Sequence, residues 1–233
     1  MDKSYNRNVP AWQGKENFKM TQNQWLVYFW FISNSKRNPD DFDHHYYLYY
    51  TDVQKAIILK ETGIKSYATL NKVLEILEKY NLVIKDEIHE AYLIYVLPPF
   101  VLLDVNIIKT FFRFNQYLDV ALMLRVYSIL VKWKRGCDTN HSQAKFTMSS
   151  LARTLQVDSR TLTIEALIIM FGIWSMMELV KIDIKKITNP MGTTYNSYTL
   201  IDIKTTMKDE YYIDEEKIPD FWEKVALYNP FKE

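Results

Sequence analysis

Apolar positions along the chain change period several times, and each change marks a boundary. From Gln24 to Ile32 apolar and aromatic residues (Trp25, Tyr28, Phe29, Phe31, Ile32) recur at helical spacing, which predicts a helix closing a small core. From Asp52 the pattern predicts a short helix stopped by Gly63, a residue suited to a left-handed helix end. Ser66 then stands where an N-cap belongs, ahead of Leu70, Val73, Leu74 and Leu77 on one face of a second helix ending near Tyr80 and Asn81. Val83-Ile84 and Tyr92 to Val96 read as strands around the polar turn Lys85 to Glu90.

The same order returns about ninety residues later. An apolar helix is predicted from Asp119 to Trp133, with Leu122, Val126, Ile129, Leu130 and Trp133 inward. Met148 to Leu155 predicts a short helix, Gln156-Val157 a turn, and Asp158 a cap for a helix running through Thr161, Leu162, Ala166 and Met170. Val180 to Ile184 and Tyr195 to Ile203 alternate as strands around Thr188 to Gly192. Helix, short helix, tight turn, helix and hairpin therefore occur twice, with Thr-Leu opening the later helix in both copies. The expected fold class is mainly α with small β-hairpin wings (α+β), as two tandem winged-helix domains. Residues 1–19 are read as a polar segment, 20–100 and 101–205 as the two domains, and 206–233 as an acidic tail with a short helix.

The phrase Ser150-Leu-Ala-Arg-Thr-Leu-Gln-Val-Asp-Ser-Arg-Thr-Leu162, together with Asn196-Ser-Tyr-Thr-Leu200, resembles the tandem winged-helix proteins of phages and plasmids of low-GC Gram-positive bacteria. Replication initiators and regulators of conjugative transfer are among them. The resemblance covers roughly residues 20–204. It implies double-stranded DNA as partner, bound by a homodimer or by both domains of one chain, in replication, transfer or transcription control. Other replication or transfer proteins are further partners it allows.

Charge sharpens this reading. The chain carries 29 Lys and Arg against 28 Asp and Glu, so the total points to no polyanion. The balance is uneven along the chain: residues 101–205 hold 13 basic against 8 acidic side chains, and residues 206–233 hold 4 against 8. In the first copy Lys65, Ser66, Tyr67, Thr69, Asn71 and Lys72 lie at outward positions near the start of the later helix, where polar and basic groups suit phosphate and base edges. The hairpin behind them carries Asp86, Glu87 and Glu90, which would repel phosphate. In the second copy Ser159, Arg160, Thr161 and Thr163 precede a segment apolar almost all round, so only its first turn can face DNA. Lys181, Lys185, Lys186 and Asn189 on its hairpin complete the candidate DNA contacts. If Leu162, Ala166, Met170 and Ile173 form the core face, Ile164, Ile168 and Phe171 are left for a neighbouring element or a second copy.

Catalysis and cofactors find little support. His44-His45 stand beside Asp41 and Asp43, yet adjacent histidines point to different sides and no His-x3-His or Cys-x2-Cys spacing occurs. No nucleophile elbow, P-loop or dinucleotide fingerprint is present, and 5 glycines could hardly build phosphate cradles. No enzyme activity, cofactor or metal is expected. Cys137 is the only cysteine, the first residues lack an apolar leader, and no run reaches membrane-spanning length, so a cytoplasmic protein is expected. The competing reading is an adaptor that binds protein and not DNA, consistent with the near-zero net charge and the acidic first hairpin. In the tail, Phe221, Trp222, Val225, Ala226 and Tyr228 predict a short docked amphipathic helix.

Overall fold

The computed structural model describes residues 6–11, 20–37, 45–158, 160–212 and 217–227. The chain divides into two compact units, residues 1–128 with 206–210 and residues 129–205 with 211–233.

Unit 1 is organised around helix α1 (Gln22–Asn34), in which every residue from Gln24 to Ser33 is buried. A helix apolar on all sides must be covered on all sides, and α1 packs against several neighbours. Thr21 opens it through a capping box with Gln24. Helices α2 (Lys55–Thr62) and α3 (Tyr67–Lys79) follow, separated by Gly63 at φ +70°. Ser66 accepts from the Thr69 amide at 3.2 Å and so begins α3 as expected. Strands β2 (Lys36–Arg37), β3 (His45–Tyr49), β4 (Val83–Asp86) and β5 (Ala91–Tyr95) form an antiparallel sheet in the order β2-β3-β5-β4. A separate antiparallel pair joins β1 (Asn6–Pro10) to β6 (Phe100–Asp104), and β6 leads into α4 (Val105–Phe112).

Helix α5 (Val120–Thr139) supplies its first residues to unit 1 and its later ones to unit 2. In unit 2, strands β7 (Ala144–Thr147), β8 (Val180–Thr188) and β9 (Thr194–Ile203) make an antiparallel sheet in the order β7-β9-β8. Helix α6 (Met148–Leu155) packs against β7 and α7 (Ile164–Met176) against β8, while α8 (Ile218–Leu227) packs against α7. The core is aromatic: Phe146 stacks on Tyr198 at 5.2 Å between ring centroids, and Phe171 meets Tyr198 at 5.9 Å and Trp174 at 5.6 Å. Among the described residues, no helix is long and apolar enough to cross a membrane.

The expected mainly α fold, two tandem winged-helix domains with hairpin wings, is corrected. The chain is α+β, with eight α-helices and three small antiparallel sheets among the described residues. Neither hairpin is a bare two-stranded wing. β3 pairs with β5 and β7 with β9, while the β1–β6 pair and α4 lie outside the twice-occurring pattern. The missed strands have a physical explanation. β1 reads as polar, yet Arg7 and Asn8 are buried because distant partners satisfy them. The Arg7 guanidinium donates twice to the Ser35 carbonyl, at 3.1 and 2.6 Å, and the Asn8 amide donates to the Tyr46 hydroxyl at 2.9 Å.

Candidate nucleic-acid interface

The first half of the candidate site lies on α3. Leu70, Val73 and Leu77 turn inward, and the opposite face exposes Tyr67, Ala68, Thr69, Asn71 and Lys72, with Lys65 exposed just before it. Ser66 is half-buried, and its hydroxyl is held at 2.9 Å from that of Thr69, so both serve the cap as well as the surface. Tyr67 keeps 53% of its surface exposed, which places an aromatic ring at the helix entrance. The structure adds Lys55, at the start of α2, whose ammonium donates to Asn71 Oδ1 at 2.8 Å. That bond occupies one lone pair of the Asn71 carbonyl. It aims the amide with a second lone pair and two N–H donors still able to meet an adenine edge. Lys55 went unnoticed because sixteen residues separate it from Asn71, and only the packing of α2 on α3 brings them together.

The hairpin of unit 1 is acidic, as its sequence indicated. Asp86 accepts from the amides of Ile88 and His89 at 3.1 and 3.2 Å and lies 2.7 Å from the His89 ring. These hydrogen bonds, that to the His89 ring first, hold its carboxyl below the usual aspartate range. Asp86 therefore keeps a negative charge on the turn at neutral pH.

Unit 2 distributes its candidates differently. Ser159 lies outside the described residues. Arg160 and Thr161 are exposed, but they do not belong to a helix. Asp158 caps a single tight turn, accepting from the amides of Arg160 and Thr161 at 3.0 and 2.8 Å and from the Thr161 hydroxyl at 2.9 Å. The Thr161 bonds are the main reason its carboxyl lies below the usual range. Helix α7 begins afterwards, capped by Thr163, which accepts from the Ala166 amide at 3.1 Å. The expected cap at Asp158 is thus displaced by five residues, because Asp158 and Thr163 each close their own turn.

Nor does α7 offer a face. Met170, Phe171, Gly172, Ile173 and Trp174 are buried in succession, a full turn of the helix, and only Ile164 and Glu165 in its first turn are exposed. Part of that cover is α8, where Phe221 and Val225 are buried and which packs against α7. The docked tail helix expected from sequence is therefore present as Ile218–Leu227, with Tyr228 beyond the described residues. Of the three apolar residues left over in the sequence reading, Phe171 is fully buried, Ile168 half-buried, and Ile164 46% exposed.

The lysines of unit 2 lie on the β8–β9 ribbon. Lys181, Lys185 and Lys186 are exposed, with the Lys185 ammonium 3.6 Å from Asp183. Asn189, a candidate contact, also serves the turn itself. Its side-chain oxygen accepts from the amides of Met191 and Thr193 at 3.0 and 2.9 Å and so shapes the ribbon tip. Towards the end of this ribbon the apolar side chains of Ile187, Met191 and Tyr195 are exposed, as is Ile201 farther along β9, and none was singled out in the sequence. Their signal was a break in the alternation: Tyr195 is out of phase with the buried Tyr198 and Leu200, and Ile187, its cross-strand partner, is out of phase with Val180, Ile182 and Ile184.

Among the described residues, no cluster of three His, Cys, Asp or Glu side chains could hold a metal ion. The histidines beside Asp41 and Asp43 fall largely outside those residues, with only the backbone of His45 included. No family model, curated protein or solved structure matches the chain.

Proposed function

We propose that this chain is a site-specific double-stranded DNA-binding protein with no catalytic activity of its own. The observation that carries the reading is the outer face of α3. Lys55, Lys65 and Lys72 surround Tyr67, Thr69 and an Asn71 amide held in position by a lysine. An α-helix fits the major groove, and an asparagine amide matches the donor and acceptor pattern of adenine there. Glu75, one turn beyond Asn71 on the exposed side, confines close approach to the first two turns.

The β8–β9 ribbon supplies a second, sequence-independent contact through Lys181, Lys185 and Lys186. Service in phage or plasmid replication, transfer or transcription control is proposed with it, on the resemblance of residues 150–162 and 196–200 alone. Binding to random duplex across a salt series tests the reading. Affinity should fall steeply with salt, and Lys185→Ala with Lys186→Ala should flatten the slope by about 0.9 log unit per lost contact. A chain that binds no duplex at low salt overturns the reading in favour of a protein-binding adaptor.

A further inference from the structure

We infer that the tip of the β8–β9 ribbon is an apolar wedge that enters a duplex groove, unstacks a base step and bends the DNA. The inference rests on the duplex-binding reading and adds to it a mode of contact that base-edge hydrogen bonds do not require.

The wedge begins with an unusual exposure. Met191 keeps 91% of its surface in solvent, while Ile187 and Tyr195, paired directly across the strands, keep 40% and 41%. Single exposed apolar residues are common, but three on one narrow projection make a patch that calls for a partner. The tip is also tied together by hydrogen bonds. Besides the two amides held by Asn189, the Asn189 amide donates to the Thr193 carbonyl at 3.0 Å, and the Gly192 amide to the Asn189 carbonyl at 2.9 Å. Gly192 supplies φ +81°, Pro190 fixes its own φ, and the Thr188 and Thr194 hydroxyls meet at 3.0 Å below the turn. Met191 is thus presented on a pre-formed turn whose ordering is already complete.

The ribbon can reach. Strand β7 pairs with β9 only from Ser197 to Leu200, so beyond Ser197 the two strands continue alone. Three further residues and the turn extend them by roughly 10 Å, on strands about 4.8 Å apart. A groove accepts such a ribbon, and apolar side chains flanked by cations are the usual means of prising base steps apart.

Charge selects the occupant. Lys185 and Lys186 stand at the base of the projection, and no carboxylate occurs from Ile184 to Ile201. A polyanion with apolar matter between its charges fits this pattern, as stacked base pairs between phosphate backbones do.

End-labelled duplexes that the full-length protein selects from a random pool test the wedge, with energy transfer between the ends reporting bending and 2-aminopurine fluorescence reporting unstacking. Wild type should raise both signals. Met191→Ala should lose both while keeping the salt slope of binding, because the lysines remain. Lys185→Ala with Lys186→Ala should weaken binding and flatten the slope, yet still bend the duplex at saturating protein. Met191 lies on the surface, so an unchanged circular dichroism spectrum establishes that the variant folds. Duplex binding without either signal in wild type overturns the wedge and leaves the DNA reading standing. Failure to bind any duplex removes the reading and the wedge with it. Wild-type binding to phosphatidylserine vesicles that Met191→Glu abolishes, with duplex signals equal in both proteins, reassigns the tip to a membrane surface.

Discussion

Helices α3 and α7 hold corresponding places in the two units, each the later of two helices that follow a strand and precede a hairpin, and they have opposite fates. In α3 one apolar residue in three or four satisfies the core, and the polar remainder faces outward. In α7 the run Leu167-Ile-Ile-Met-Phe-Gly-Ile-Trp174 has no polar side chain, and α8 packs against the helix. The hairpins compensate in the opposite sense: acidic and short behind α3, basic and projecting behind α7. One element order thus supports a helix face in unit 1 and a ribbon in unit 2. Local polarity, not the order of elements, decides which surface is available for a ligand.

The strongest way to break this comparison is to attack the burial of α7. Phe171→Ala or Trp174→Ala should destabilise unit 2 by about 3–5 kcal/mol, whereas Tyr67→Ala on α3 should change stability by no more than about 0.5 kcal/mol. Denaturant midpoints measure both, and similar small losses would mean that the two helices are equally open.

Next comes the cover. Burial of Phe221 is worth about 1.5–3 kcal/mol, so Phe221→Ala should loosen α8 and expose α7. Protease cleavage near residues 217–227 should then accelerate. Unchanged cleavage would show that α8 does not depend on this anchor.

Base discrimination should separate the units. Asn71→Ala should cost roughly 1–3 kcal/mol of preference for one base over another, and Lys55→Met should relax the same preference in part. Arg160, in the turn before α7, should behave as a phosphate contact: Arg160→Ala weakens all duplexes alike and lowers the salt slope. If Arg160→Ala instead altered the selected sequence, the turn would be reading bases despite the burial of α7.

The smallest effect is acid sensitivity. The hydrogen bonds to Asp158 and Asp86 stabilise their charged forms, so both have pKa values in the folded chain below the ordinary 3.8. Their contribution is present above the unfolded pKa and disappears as pH falls through the folded one. Thermal melts between neutral pH and the acid limb should show a shallower acid decline in Asp158→Asn for unit 2 and in Asp86→Asn for unit 1. An unchanged decline would place the acid sensitivity in other carboxylates.

Local pattern by itself determined much of this protein. Gly63 and Ser66 bound α2 and α3, the spacing of Leu70, Val73 and Leu77 orients α3, and the apolar length of residues 164–176 demands burial whatever covers it. Caps, turns and helical faces are decided within a few residues, where hydrogen-bond and burial requirements can be read directly. Tertiary structure alone decided the rest. It paired β3 and β7 with the hairpins, buried Arg7 against Ser35, set α8 on α7, and brought Lys55 to Asn71. It also assigned Asn189 to the ribbon turn and left Met191 in solvent. Each depends on a partner that linear pattern does not name. Strand pairing is hydrogen bonding between backbones remote in sequence, and a polar side chain is buried or exposed according to whether such a partner meets it.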